Sequence, residues 1–208
     1  MRIGVLALQG GFIEHINTLS KLGVTAIPVY NTRDLSGIGG LILPGGESTT
    51  ILKLMHSSNL FEPLREKAQS GLPVMGTCAG MVLMAKKVLN PVMEPLALMD
   101  IAVKRNAFGR QVDSFEAELD LPTLSGKAFP AIFIRAPVIE STSPGVEVLG
   151  RLDNGTVVAV RQDNLMAMSF HPELSQDARL HRYFLEIVKD YLKEEKRGIT
   201  REATIPAD

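Results

Sequence analysis

Short apolar runs that end in glycine, each followed by helical periodicity, constrain this chain more than any other feature. Residues 2–8 (RIGVLAL) form the first run, broken by Gly10 and Gly11. Phe12, Ile13, Ile16, Leu19 and Leu22 then recur at helical spacing until Gly23. Val24–Tyr30 reads as a second strand and Gly40–Leu43 as a third, closed by Pro44-Gly45-Gly46. Helical patterning covers Thr49–Met55 and Leu60–Ala68. A strand at Pro73–Gly76 leads into Thr77-Cys78-Ala79-Gly80 and a further helix over Met81–Lys87. Strands that are apolar throughout, alternating with helices, predict a mostly parallel sheet covered on both faces. Right-handed crossovers then place residues 9–11, 44–48 and 76–80 on one rim, where such sheets bind ligands.

The second half differs. Ile101–Lys104, Phe115–Leu119, Ala131–Ile134, Val146–Leu152, Val157–Arg161 and Leu165–Ser169 are short strand-like runs separated by turn residues such as Asp153-Asn154-Gly155. They predict antiparallel strands added to the sheet or beside it. Leu180, Tyr183, Phe184, Ile187, Val188, Tyr191 and Leu192 form the apolar stripe of a last helix. Residues 195–208 carry no such stripe and read as a loose tail, which leaves one domain over 1–194.

Composition excludes several classes of function. With 22 basic and 23 acidic residues the net charge is −1, and there is no basic run, so no nucleic-acid partner is indicated. A single cysteine cannot build a disulfide framework, and no long uninterrupted apolar stretch indicates a membrane span. The cytoplasm is the expected location. Histidine and cysteine spacings match no common metal pattern, and there is no phosphate-binding glycine loop, so neither metal nor cofactor is expected.

Gly76-Thr77-Cys78-Ala79-Gly80 has the spacing of a nucleophile elbow with cysteine in the serine position. Small residues two before and two after let the turn be sharp, and the N-terminus of the next helix favours an anion at the sulfur. An arbitrary cysteine is more often a small buried hydrophobe; the flanking glycines and the strand-to-helix position reverse that preference. Cysteine nucleophiles need a base, and the base needs an orienter. His15 and His56 lie in helical patterns and His181 beside the last apolar stripe, so each reads as a surface or packing residue. His171 ends an apolar run and precedes Pro172, which keeps it out of helical geometry. In extended chain Glu173 would share its face and could hold its ring. The glycines of Pro44-Gly45-Gly46-Glu47-Ser48 let backbone N–H groups face a site, so Gly46 and Ala79 are candidate oxyanion donors. Arg105 and Arg135 stand in oddly polar contexts and could cap the surface or bind a carboxylate.

Gly-Thr-Cys-Ala-Gly with a distant His-Pro-Glu resembles the class I, triad-type glutamine amidotransferases. More narrowly, Ile3–Gly10, Leu41–Thr50, Gly76–Gly80, Arg105–Ala117, Phe133–Glu140, Ser169–Glu173 and His181–Phe184 resemble the glutaminase subunits of pyridoxal 5′-phosphate synthases, over nearly the whole chain. The resemblance implies a flavodoxin-like three-layer α/β sandwich. It also implies hydrolysis of L-glutamine to glutamate and ammonia, and passage of that ammonia to a separate synthase subunit. By position it assigns glutamine contacts to Gly46, Glu47, Ser48, Arg105, Ile134 and Arg135. One departure is Gly11, where the family often carries an acidic residue ahead of a helix near the expected partner face. The alternatives are another enzyme of the same superfamily feeding a different synthase and, in another class, a catalytically silent binding or scaffolding module that keeps the fold.

Overall fold

The computed structural model describes residues 1–89, 93–105 and 114–198. Strands β1 (Arg2–Leu6), β2 (Thr25–Val29), β3 (Gly40–Leu43) and β4 (Val74–Thr77) alternate with helices α1 (Phe12–Lys21), α2 (Ser48–Ser57) and α3 (Phe61–Gln69). After the short helix α4 (Ala79–Met84) come β5 (Ala85–Leu89), β6 (Met99–Lys104), β7 (Ser114–Leu119), β8 (Phe129–Ile134), β9 (Val138–Thr142), β10 (Glu147–Arg151), β11 (Val157–Gln162) and β12 (Leu165–Met168). Helix α5 (Arg179–Lys196) closes the described chain.

The main sheet runs β2-β1-β3-β4-β12-β11-β9-β6-β5, with β10 also on β11. Its first five strands are parallel, in the order of a flavodoxin-like sheet. β11 turns antiparallel against β12, and β9 against β6, whereas β5 lies parallel to β6. A separate antiparallel pair, β7–β8, stands beside the sheet. The expected mostly parallel sheet with antiparallel strands added in the second half is therefore present.

Alternation within the buried strands builds the three layers. Leu41, Leu43 and Val74 face one way and pack with Ile51 and Met55 of α2, Leu64 of α3 and Met81 of α4. Ile42 and Met75 face the other way, with Leu19 of α1 and Leu180, Phe184 and Val188 of α5. Strands fully apolar on both faces are the consequence, because each face meets a helical layer. The β7–β8 pair adds Leu119, Phe129 and Phe133 to the second core, against Phe170.

Two elements differ from the expectations. The helix expected over Met81–Lys87 begins at Ala79 and ends at Met84; Ala85 enters strand geometry and the rest is β5. Strand β9 has no counterpart among the expected strand-like runs. Helix α5 continues through Lys196, two residues into the segment read as a tail. Of the three histidines read as surface or packing residues, His15 and His181 are fully buried, and His56 is exposed and stacks on Phe61. Residues 106–113 of the segment Arg105–Ala117, and tail residues 199–208, lie outside the described residues.

Close packing at the rim is strict at Gly80. A Cβ there would stand 1.9 Å from the Leu43 carbonyl oxygen, so α4 can pass β3 only without a side chain at this point. Gly80→Ala is expected to cost about 1–3 kcal/mol or more, read as a lower urea midpoint at unchanged slope. A loss within about 0.5 kcal/mol would contradict this packing.

Candidate active site

Parallel pairing of β4 with β12 sets Met168 opposite Thr77, and the Cys78 N–H donates to the Met168 carbonyl at 2.8 Å. Two residues separated by most of the second half of the chain are thereby brought to neighbouring strand ends. Cys78 follows β4 with φ +48 and ψ −104, a left-handed conformation unusual for a residue with a Cβ. The elbow is held by sterics on both sides. A Cβ on Gly76 would meet Met84 Sδ at 2.5 Å and the Gly80 carbonyl carbon at 2.7 Å. The Cys78 side chain is nearly buried, with Sγ 3.9 Å from the Ile134 carbonyl oxygen.

His171 follows β12, and its N–H donates to the Ile132 carbonyl of β8 at 2.8 Å. Its φ of −109 and ψ of 84 lie outside the helical region, as Pro172 requires. Glu173, however, sits in a single 3-10 turn over Pro172–Leu174, so it reaches the ring through a turn and not through strand alternation. The predicted contact forms all the same: His171 Nδ1 lies 2.7 Å from Glu173 Oε1, with the carboxylate almost wholly buried. Gly45 is wedged beside the pair, where a Cβ would stand 2.3 Å from His171 Cε1 and 3.4 Å from Cys78 Cβ.

Burial alone would lower the His171 pKa. The hydrogen bond with Cys78, the hydrogen bond with Glu173 and the charges of both outweigh it, and the ring is pushed up to about 10. Burial likewise opposes the Glu173 charge, but His15 and His171 hold the carboxyl below its ordinary value. The pair is thus a carboxylate and an imidazolium across the neutral range.

Opposite the sulfur, the turn after β3 carries Gly46, Glu47 and Ser48. The Gly45 carbonyl accepts from Gly11 N–H at 3.0 Å, so the Gly46 N–H, anti to it across a planar trans peptide, points away from Gly11. Ala79 heads α4, where a helix has no internal acceptor for its N–H. Glu47 caps α2 by accepting from the Thr49 and Thr50 amides at 3.0 and 2.7 Å. Partial burial opposes its charge, yet the Thr50 hydroxyl and these amides bring its pKa down to about 2. Arg105 is anchored there as well, donating to Thr49 Oγ1 at 3.0 Å and Glu47 Oε1 at 3.2 Å.

Around these groups lies a cavity of about 320 Å³, near the small end for ligand pockets. Cys78, His171, Gly46, Glu47, Ser48, Ala79, Arg105, Ile134 and Arg135 all line it, so every residue singled out in the sequence except Glu173 faces one space. Glu173 stands behind His171. Arg135 also has a positive φ, +43, which turns the chain at the cavity edge after β8. Gln9, Val82 and Pro137 line the cavity without having been singled out. Of these Gln9 had a signal, its place on the predicted rim after β1; its Oε1 accepts from the Glu47 N–H at 2.8 Å. Gly11 borders the site too: a Cβ there would stand 3.5 Å from Glu173 Oε1 and 3.6 Å from Glu14 Oε2. A cysteine with an imidazolium, backed by a buried carboxylate and facing backbone donors, suits acyl transfer from an amide.

Comparison with known proteins agrees with this chemistry. Residues 5–190 match the SNO glutamine amidotransferase family, and the chain belongs to it. A Dehalococcoides mccartyi protein described as pyridoxal 5'-phosphate synthase subunit PdxT is 56% identical over 193 residues, 92% of this chain and 99% of that one. A Moorella thermoacetica protein of the same description is 54% identical over 188 residues, 90% of this chain and all of that one. A crystal structure of a glutamine amidotransferase, 46% identical, superposes with a TM-score of 0.85 over 90% of this chain and 98% of its own.

The electrostatic link between Glu173 and His171 can be measured. In Glu173→Gln one of the two groups that raise the imidazole is removed, while Cys78 still raises it and burial still lowers it. NMR titration of the His171 ring should therefore move down from about 10. A transition unchanged near 10 would contradict the assignment.

Proposed function

We propose that the chain, as one domain over residues 1–194, hydrolyses L-glutamine to L-glutamate and ammonia and passes the ammonia to a pyridoxal 5′-phosphate synthase subunit. The observation that carries the chemistry is the 2.7 Å contact of His171 Nδ1 with Glu173 Oε1, which leaves the other ring nitrogen for Cys78. The family and the PdxT descriptions of relatives at 54–56% identity support the choice of substrate and partner.

In this reading Cys78 thiolate attacks the side-chain amide carbon of glutamine. Backbone N–H groups of Gly46 and Ala79 hold the oxygen as it gains charge. His171 donates its proton to the amide nitrogen, ammonia leaves, and a thioester remains on Cys78. The ring, now neutral, takes a proton from water as the hydroxide adds to the thioester. Collapse releases glutamate and restores the thiolate–imidazolium pair. Glu173 keeps the ring in one tautomer and supports its charge throughout. Gly46, Glu47, Ser48, Arg105, Ile134 and Arg135 position the amino-acid portion, with Arg105 held on the Glu47 carboxylate. The cytoplasm, where a free thiol stays reduced, suits a chain whose one cysteine is its nucleophile.

Control by the partner follows from the Gly45-Gly46 peptide. Glycines on both sides allow it to rearrange when the synthase subunit docks, which would complete the oxyanion hole only when ammonia has a consumer. Glutamine hydrolysis should therefore rise when the synthase subunit is added and vanish in Cys78→Ala under both conditions. Equal wild-type rates with and without the synthase subunit would contradict this control, and activity surviving in Cys78→Ala would contradict the nucleophile.

A further inference from the structure

Three fully buried polar side chains stand behind Glu173: His15 of α1, Thr77 of β4 and His181 of α5. His15 Nε2 lies 3.2 Å from Thr77 Oγ1 and 3.3 Å from Glu173 Oε2, and His15 Nδ1 lies 3.0 Å from His181 Nε2. The two rings are inclined at 51° with centroids 5.2 Å apart, so they meet through nitrogens rather than by stacking. Three elements distant in sequence thus meet at His15, which of the three side chains is the one that approaches the carboxylate oxygen His171 leaves unused. That oxygen is buried and makes no hydrogen bond of good geometry with a described residue. Such an oxygen is costly unless a donor is aimed at it.

Only one arrangement of protons serves all the contacts. If His15 carries its proton on Nδ1, its Nε2 lone pair faces the Glu173 carboxylate, and the His181 N–H is left buried on Nδ1 with no partner among the described residues. If His15 carries the proton on Nε2, that N–H points at Thr77 Oγ1, with Glu173 Oε2 3.3 Å from the same nitrogen. His15 Nδ1 then accepts from His181 Nε2–H, and the unpartnered His181 Nδ1 is a bare lone pair. The negative charge 3.3 Å away selects the second arrangement.

Burial works against the charged form of both rings. Burial pushes the His15 pKa down, Glu173 and Glu14 pull it up, and His171 lowers it, with a net fall. Burial and His15 bring His181 down to about 3 against the pull of Glu173. Neutrality has a chemical use. A lysine or arginine in place of His15 would cancel the carboxylate charge, whereas a neutral N–H can orient Glu173 and leave its charge for the His171 imidazolium.

We infer that His15 is a positioning residue for the glutaminase reaction, presenting a neutral Nε2–H to Thr77 and Glu173 so that the carboxylate stays aligned with His171, and that His181 holds His15 in that tautomer. The inference rests on the reading of Cys78, His171 and Glu173 as the triad. It also gives a role to His181 in the His181–Phe184 segment, which the mechanism does not use.

The test combines kinetics of the full chain with its synthase subunit and ring nitrogen NMR of the full chain. His15→Phe should lower kcat about ten- to a hundredfold, the range seen when partners behind metal-bound histidines are removed. KM for glutamine should stay nearly unchanged, because His15 does not face the cavity. The His171 titration should fall from about 10. His15→Gln, which returns an N–H near the Nε2 position, should recover both kcat and the titration. In wild type the His15 ring should appear as the neutral Nε2–H tautomer. A folded His15→Phe with wild-type kcat and an unmoved His171 titration would overturn the inference, as would a wild-type His15 protonated on Nδ1. Should His15→Phe not fold, the Gln variant and the wild-type ring spectrum still decide. Activity surviving Cys78→Ala would instead overturn the triad reading, while the tautomer measurement would stand independently.

Discussion

The register between β4 and β12 is the constraint on which the rest depends. One parallel ladder places Met168 opposite Thr77, and the strands leave the sheet at adjacent points as the Cys78 elbow and the His171 turn. A slip of one residue would turn every side chain of β12 to the opposite layer, moving Met166 and Met168 out of the core that α5 covers. Register is therefore fixed by the two cores, and the site inherits its accuracy from apolar packing rather than from polar contacts at the rim. Gly80 against the Leu43 carbonyl and Gly76 against α4 extend that accuracy to the neighbouring strand.

Electrostatics then divides the labour within the site. One buried carboxylate, Glu173, faces an exposed-side imidazole that is pushed toward the charged form and an interior imidazole that is pushed toward the neutral form. The same side chain type behaves in opposite ways because His171 has both Cys78 and Glu173 as partners, whereas burial dominates at His15. On the other side of the cavity, Glu47 spends its charge on the amides of α2 and on Arg105, which keeps that guanidinium at the rim.

Much of this was legible in the sequence for a definite reason. Strands buried on both faces must be apolar throughout, and strands that deliver a site to a rim must end in small residues. Gly40–Leu43 with its following glycines and Val74–Thr77 with its cysteine show both signals. Cys78, His171 and Glu173 stood out because an elbow and a residue before proline are local constraints. Ala85–Leu89 was hidden because a helix passes into a strand without a breaker, and Lys86 and Lys87 fit either period. β9 was hidden by its polar second half, Glu140-Ser141-Thr142, which is exposed. His15 could not be found by pattern at all. A helical histidine beside Ile16 and Leu19 looks like packing until α1, β4 and α5 are seen to meet behind Glu173. Thr77 was hidden in the same way, as one small residue among the others of the elbow.

The central claim is that Cys78 is an acyl-transfer nucleophile for the glutamine side chain. Treating the chain, with its synthase subunit present, with a glutamine analogue bearing a diazoketone in place of the amide, followed by peptide mass spectrometry, tests it directly. The account predicts one adduct, on Cys78, formed in competition with glutamine and lost in His171→Ala. Absence of any adduct on Cys78, or labelling that glutamine does not suppress, would contradict it.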